Sequence, residues 1–260
     1  MIQIDFGFGA VEAEFWRWVF AMTRIGAAML AAPIFGAGSV PAQVRVIAAG
    51  ALAVFVCVWT PLAAPPPLFS AAGMLIVAGE VLVGLSLGFV LQLAFAAPTI
   101  AAEVIGGAMG MSMASTVDPH SGSHSPALGQ YFAVVLTLVF LATGGHLQWL
   151  SLLVESYRAF PPGETWLGPG RFAEIASFAT LMFTSAVAIA LPVTLVLFLV
   201  QVVTGVLSRS APALNLFALG LPAGVLAGLA ALIIAAPLAT EQMVQVSAEA
   251  LDSAARVIAR

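Results

Sequence analysis

The segment "GEVLVGLSLGFVLQLAFAAPTIAAEVIGGAMGMSMASTVDPHSGSHSPALGQ", Gly79 to Gln130, joins a long apolar run to a short polar one. The apolar run has Glu80 and Glu103 as its only charged residues, and "STVDPHSGSHSP", Ser115 to Pro126, then offers almost no apolar side chain. A helix needs about 20 apolar residues to cross the hydrocarbon core of a bilayer. Irregular backbone is costly in lipid unless protein or water covers it. The segment therefore predicts a membrane helix that leads into a loop shielded from lipid.

The composition assigns the whole chain to the same class. Of its 260 residues, 62% are hydrophobic and 8% are charged, whereas soluble domains carry about a quarter charged residues. All eight basic residues are arginine and the net charge is −4, which argues against a nucleic-acid partner. Cys57 is the only cysteine, so an intrachain disulfide or a cysteine-cluster metal site is excluded. The composition indicates an integral membrane protein.

Proline and glycine divide the apolar sequence into about six hydrophobic helices. Pro98 is predicted to kink the third of them. The runs are Phe15–Phe35, Val44–Thr60, Leu68–Ala97 with its continuation Thr99–Val117, Ala127–Val154, Ile175–Leu207 and Leu214–Leu238. We expect residues 1–240 to form one helical unit, because the turns between these runs are short.

The last twenty residues, 241–260, have a different pattern. Charged and apolar residues alternate there with helical spacing, and Asp252 and Arg256 stand four residues apart with opposite charge. This pattern predicts a separate amphipathic helix, too charged to span a membrane, that lies on the bilayer surface or docks on another protein.

Three sets of glycines recur with the GxxxG spacing of close helix packing. They are Gly84 with Gly88, Gly106 with Gly110, and Gly220 with Gly224 and Gly228. Helices in lipid associate where small residues, one turn apart, let two backbones approach. Packing within the chain is the simplest interpretation of any one set, while several sets on one small chain favour assembly with other helical subunits.

The polar stretch admits several chemical interpretations. His120 and His124 have a metal-ligand spacing, with Asp118 as a third candidate. This spacing places two histidines side by side on a helix, but these residues lie in a turn between prolines, and the sequence has no second ligand cluster. The sequence "GMSM", Gly110 to Met113, begins like the serine motif of rhomboid-type intramembrane proteases, with His146 as candidate base, yet Met113 replaces the expected glycine.

Transport is the third interpretation. Glu80, Glu103 and Arg209 interrupt apolar runs, and charges inside membrane segments usually face a bundle interior or a water path. The same charges would equally suit pairing with one another or helix ends near the interface. The residues by themselves thus indicate a polytopic protein that conducts or gates something, with the polar stretch either an aqueous turn or a loop held against a pore.

Four blocks of the sequence together resemble the FliR family of flagellar type III export-gate proteins, which has counterparts in injectisomes. They are "RIGAAMLAAPIFGAGSVPAQVRV" (Arg24 to Val46), the block Gly79 to Gln130 quoted above, "GGHLQWLSLLVESYRAFPPG" (Gly144 to Gly163) and "GVLSRSAPALNLFALGLPAG" (Gly205 to Gly224). The resemblance covers nearly the whole chain, in the family's order. The wording "VDPHSGSHSP" is closer to the flagellar members.

The resemblance implies an all-α fold of helical hairpins in which FliP-like and FliQ-like units are fused. It also implies a non-enzymatic role without cofactors, in the bacterial inner membrane at the flagellar basal body. The expected partners are FliP-like and FliQ-like gate subunits, an FlhB-like switch protein, membrane lipid and the unfolded flagellar subunits that pass through. The alternative function is a stand-alone secondary transporter of a small solute.

The resemblance further implies that the polar stretch lies across the pore and plugs the closed gate. The residues expected to form or hinge this plug are Gly110, Met111, Ser112, Met113, Asp118, Pro119, Gly122 and Pro126. Glu80, Glu103 and Arg209 are expected to make contacts within the hairpins or between gate subunits, in preference to conducting protons. The sequence does not indicate a function for His120 and His124.

Overall fold

A computed structural model of the chain describes residues 10–62, 70–111, 126–163, 169–210 and 216–259. Over these ranges the chain forms seven α-helices and no strand, which confirms the predicted all-α class. The helices are α1 (Ala10–Ala31), α2 (Ala42–Trp59), α3 (Ala71–Ala108), α4 (Pro126–Ala142), α5 (Gly145–Ala159), α6 (Pro169–Ser210) and α7 (Leu216–Ile258).

Four of the described helices are long and apolar enough to cross a membrane. They are α2, α3, the part of α6 from Ala173 to Ser210, and the part of α7 from Pro222 to Ile258. A fifth span is available if α4 and α5 act together, although the two are bent by 69°. The chain is therefore a membrane protein as predicted, with four or five candidate spans where the sequence suggested about six hydrophobic helices.

Proline is accommodated inside the third helix. Pro98, where a kink was predicted, lies within α3, which continues from Ala71 to Ala108 as one helix. Proline removes one backbone hydrogen bond from a helix, and in membrane helices that loss is tolerated because neighbouring groups replace it. A single proline in a strongly apolar run therefore does not end the helix here.

Glycine separates two helices where "TGGHLQ", Thr143 to Gln148, interrupts an apolar run of the sequence. The predicted run Ala127–Val154 is divided into α4 and α5 at Gly144, which has φ +73° and precedes the first residue of α5. Glycine adopts such a left-handed conformation without the steric cost that other residues carry. The conformation of this residue turns the chain between the two helices.

The C-terminal segment is continuous with the last long helix. α7 runs across residue 240, where the sequence suggested a boundary between domains 1–240 and 241–260; that division stays a prediction. Arg256, which stands four residues after Asp252, pairs with a carboxylate of another helix: its Nε lies 2.5 Å from Glu174 Oε1. Spacing along one helix could not reveal a partner that another helix supplies.

Two compact units account for the packing. Unit 1 comprises Met1–Leu93, Gly144–Ala179 and Ala248–Arg260, and unit 2 comprises Ala94–Thr143 and Thr180–Ser247, each considered over its described residues. The core of unit 1 contains large side chains that are at most 2% exposed, among them Phe20, Leu87, Trp149, Leu153 and Tyr157. The core of unit 2 contains Ile105, Phe132, Leu136, Phe140 and Ile189.

Candidate functional site at the end of α3

The predicted plug lies largely outside the described residues. Ser112, Met113, Asp118, Pro119 and Gly122 fall there, as do His120 and His124. The structure describes the two ends of the stretch, which are Gly110 with Met111 after α3, and Pro126 as the first residue of α4. The candidate site is therefore built from the chain on either side of it, in unit 2.

A glycine cap terminates α3 immediately before the polar stretch. Gly110 has φ +81°, its N–H donates to Gly107 O at 3.0 Å, and Met111 N–H donates to Gly106 O at 3.0 Å. This pair of bonds is the Schellman arrangement, in which a left-handed glycine reverses the chain direction and satisfies helix carbonyls. Gly110 is thus required by the backbone geometry, and it fixes the direction in which the chain leaves α3.

Two other helices contact the same end of α3. Gln201 of α6 donates a hydrogen bond from its Nε2 to Ala108 O at 2.9 Å. Met109 is 3% exposed and packs on α7, where a Cβ added to Gly228 would lie 2.6 Å from Met109 Cγ and one added to Gly224 would lie 3.3 Å from Met109 O. These two glycines therefore form a notch that admits Met109, and we call this set of contacts the α3 anchor.

An apolar cavity of about 510 Å³ adjoins the α3 anchor within unit 2. Its lining includes Met109, Met111, Phe132, Leu229 and Met243. Tyr131 and Thr240 contribute the hydroxyl groups of the lining. Methionine is flexible and fills irregular space readily, so the cavity provides room in which these side chains can change position.

Unit 1 contains a buried ion pair between α1 and α3. Arg24 and Glu80 have no exposed surface, and Arg24 donates from Nε and Nη2 to the two Glu80 carboxylate oxygens at 2.8 and 2.9 Å. Arg24 also donates to Ser156 O and Phe160 O, each at 2.8 Å, and to Ser156 Oγ at 3.1 Å. Its guanidinium stands 4.1 Å from the centre of the Tyr157 ring. Such bidentate, charge-assisted bonds are strong and directional.

Arg24 also lies against the C-terminal end of α5, which strengthens the hydrogen bonds that it donates there. Ser156 and Phe160 lie at the C-terminal end of α5, where helix carbonyls lack partners and the helix dipole is negative. The guanidinium therefore caps α5 while it neutralises Glu80, and it joins three helices of unit 1. Glu80 stood out in the sequence as a charge in an apolar run. Arg24, a charge within the apolar run Phe15–Phe35, was the same kind of signal but was not predicted as its partner.

Gly84 and Gly88 bring α1 and α3 together beside this ion pair. A Cβ at Gly84 would collide with Arg24 O, and one at Gly88 would lie 2.5 Å from Ala28 O and 2.6 Å from Ala31 Cβ. The two backbones are thus in contact along one helical turn, as the GxxxG geometry permits. This set of glycines packs within the chain.

Other predicted site residues have a different environment. Glu103 and Arg209 are exposed on the single chain, so neither is buried by this chain's own helices, and a Cβ at Gly220 would have open space around it. Among the described residues, no group of three or more histidine, cysteine or acidic side chains is arranged to hold a metal ion. His146 lies on α5, half-buried, and the serine proposed to pair with it, Ser112, lies outside the described ranges.

Comparison with known proteins agrees with the sequence resemblance. The model of the family described as "Bacterial export proteins, family 1" matches residues 15–250. The chain is 32% identical to the flagellar biosynthetic protein FliR of Escherichia coli (strain K12), over 88% of this chain and 89% of that one. It is 36% identical to FliR of Bacillus subtilis (strain 168), over 76% and 78% of the two chains. The surface presentation of antigens protein SpaR of Shigella flexneri is 35% identical over 55% of each chain.

Proposed function

Because this chain belongs to the bacterial export proteins, family 1, the family of FliR, we propose that it forms part of the pore of a flagellar type III protein export gate and of the plug that closes the pore. Membership of this family makes the chain a membrane-embedded component of flagellar type III export. Its relatives are named for export and flagellar biosynthesis, and we propose a role without catalysis or cofactor.

The observation that carries the plug proposal is the way α3 ends. An apolar, membrane-length helix stops at a glycine cap, and a polar stretch follows before α4 begins at Pro126. Lipid would not accept such a stretch, because its backbone polar groups would lack partners. A loop across a protein-lined pore satisfies this constraint, and a closure that must open needs few strong contacts. Gly110 then acts as the hinge, and Met111, Ser112, Met113, Asp118, Pro119, Gly122 and Pro126 form the plug.

The exposed apolar surface of α6 supports a partner-dependent assembly. From Val202 to Leu207 every residue except Thr204 is exposed on the single chain, and Phe198 is 63% exposed. A helix that is apolar on all sides requires lipid or other helices around it. We propose that FliP-like and FliQ-like subunits cover this surface, that an FlhB-like protein binds the assembly, and that the complex resides in the inner membrane at the flagellar basal body.

Deletion of Ser121 to Ser123 tests the plug. The chain is co-expressed with its FliP-like and FliQ-like subunits, and the purified complex is placed in liposomes that contain a small fluorescent dye. We expect dye loss well above that of the wild-type complex, with unchanged subunit composition, because a shortened loop no longer covers the pore. Wild-type permeability in a fully assembled deletion complex would refute the plug.

The stand-alone transporter makes the opposite prediction in the same preparation. A gate component should be scarce or unstable when it is expressed without its helical partners, because the apolar surface of α6 then lacks its cover. A transporter should purify alone as a stable protein and bind a solute. Yield and melting temperature with and without co-expressed partners distinguish the two functions.

A further inference from the structure

We propose that Gln201 and Met109 are positioning residues of the gate: together they hold the C-terminal end of α3 and so determine where the plug begins. The inference deepens the proposed gate function and rests on it. Its basis is the α3 anchor defined above, in which α6 and α7 each provide one contact to the last residues of α3.

The hydrogen bonds at the end of α3 show why Gln201 is needed. The last four carbonyls of a helix lack intrahelical partners in a regular helix end. In α3, Ile105 O accepts from Met109 N–H, and the glycine cap satisfies the carbonyls of Gly106 and Gly107. The carbonyl of Ala108 accepts from Gln201, whose side chain comes from 93 residues further along the chain. Gln201 therefore provides the one bond that the local cap does not.

Met109 provides the second contact that holds the end of α3, because its side chain fits into the notch on α7. Its side chain enters the notch on α7 so closely that a Cβ at Gly228 would lie 2.6 Å from Cγ and 2.8 Å from Sδ and Cε. Cβ atoms do not approach other heavy atoms at such distances, so any larger residue at position 228 displaces Met109. Gly224 extends the notch by approaching the Met109 carbonyl oxygen. Gly224 and Gly228 thus hold the end of α3 in position, in addition to letting two helices pack closely.

The two holds act next to the residue that turns the chain. Gly110, with its left-handed conformation, follows Met109 directly, so a shift of Met109 changes the direction of everything after it. Met109 also lines the cavity of about 510 Å³, and that space can take its side chain when the notch is filled. Changes to the notch should accordingly move the Met109 side chain out of it and release its hold on the end of α3, without preventing the protein from folding.

A cysteine pair tests the anchor without reference to permeability. In a Cys57→Ser background, Met109→Cys with Gly228→Cys places a sulfur at the position of Met109 Cγ, close to the new Cβ and within reach of an S–S bond of about 2.05 Å. We expect nearly complete oxidation by copper phenanthroline in membranes, measured as loss of labelling by a maleimide polymer. Met109→Cys with Gly220→Cys is the matched control and should stay reduced, because position 220 lies about 12 Å away along α7. Failure of the first pair to form overturns the anchor.

The role in closure is tested in the dye-release assay with the full complex. We expect Gly228→Ala and Gln201→Met each to release dye several-fold faster than wild type, since one displaces Met109 and the other removes only the donor. Combining Met109→Ala with Gly228→Ala should be less leaky than the two single effects together imply, because the smaller side chain no longer collides. Gly26→Ala, at a helical glycine of α1 with open space around it and outside the surface proposed for partner subunits, is the control.

The outcomes separate the two proposals. If the deletion of Ser121 to Ser123 leaks while Gly228→Ala and Gln201→Met are as tight as wild type, the plug stands and the positioning role is refuted. If the deletion itself is tight in an assembled complex, the plug is refuted, and the gate role of the anchor falls with it. Leak in the deletion and in both anchor variants, with Gly26→Ala tight, supports the positioning role.

Discussion

Replacing Glu80 by leucine while Arg24 is retained should destabilise the protein severely. The substitution removes two of the five hydrogen bonds that Arg24 donates and leaves a guanidinium without exposed surface and without a counter-ion. Removing one partner of a buried ion pair costs about 3–5 kcal/mol. We expect the free energy of unfolding to fall by an amount in this range for Glu80→Leu. A comparable fall is expected for Arg24→Met, which leaves Glu80 and the end of α5 without their donor.

The double variant, Arg24→Met with Glu80→Leu, makes the argument quantitative. It leaves no buried charge, so the remaining cost is that of α5 carbonyls that lose a donor, at about 1–3 kcal/mol for each group left unsatisfied. Ser156 O still accepts from Phe160 N–H, which keeps the total near the lower end. The double variant should therefore be more stable than either single variant, with a coupling energy that exceeds the range of about 0.3–0.5 kcal/mol found for independent sites.

The assay is thermal unfolding in detergent, with the chain purified in its complex. A chain of this size should lose about 2–4 °C in melting temperature for each kcal/mol, so either single variant should melt roughly 6–20 °C lower than wild type. Tyr157, whose ring lies 4.1 Å from the Arg24 guanidinium, and Trp149 are both buried in unit 1, and their fluorescence reports on its core. Single-variant losses that simply add in the double variant would refute the buried-charge reasoning.

Two further predictions concern residues on α3. Gly84→Ala should reduce the yield of folded protein sharply, because its Cβ meets the backbone of α1. Gly26→Ala, with open space around it, should be neutral or slightly stabilising because alanine has the higher helix propensity. Immunoblots of the membrane fraction measure both yields, and equal yields would contradict the close packing. Glu103→Gln should leave proton flux through the assembled complex unchanged, because we assign Glu103 to subunit contacts; a changed flux in a normally assembled complex, measured with a pH-sensitive dye in liposomes, would assign it to proton conduction instead.

The sequence predicted the class of fold because hydropathy reports directly on the medium around a helix. The lengths of the apolar runs and the prolines or glycines that bound them predicted most of the helices. The four sequence blocks identified the FliR family correctly. The sequence was less specific where local pattern competes with tertiary context. Pro98, where a kink was predicted, lies inside the continuous α3, and Gly144, within the interruption "TGGHLQ", separates two helices through a φ value that the sequence does not specify.

Partners across long separations were the part that the sequence could not supply. Glu80 stood out as a charge in an apolar run, but its partner lies 56 residues earlier, and the α5 carbonyls that share that partner lie more than 130 residues from it. The glycine motifs have the same limit. Gly84 and Gly88 face α1, whereas Gly224 and Gly228 face Met109 of α3, and the GxxxG spacing is identical in the two cases. Spacing indicates close approach without naming what approaches.

The placement of the charges bears on the choice between a gate component and a transporter. A transporter needs intramembrane charges that a water path or a substrate can reach. Glu80 instead has no exposed surface, and both of its carboxylate oxygens accept bonds from Arg24, which in turn caps α5. That carboxylate is committed to holding helices together. Glu103 and Arg209 lie on the outside of the single chain, where neighbouring subunits would meet them. Among the described residues, then, Glu80 serves packing inside the chain, while Glu103 and Arg209 are exposed at its surface, where the subunit contacts that we propose would form.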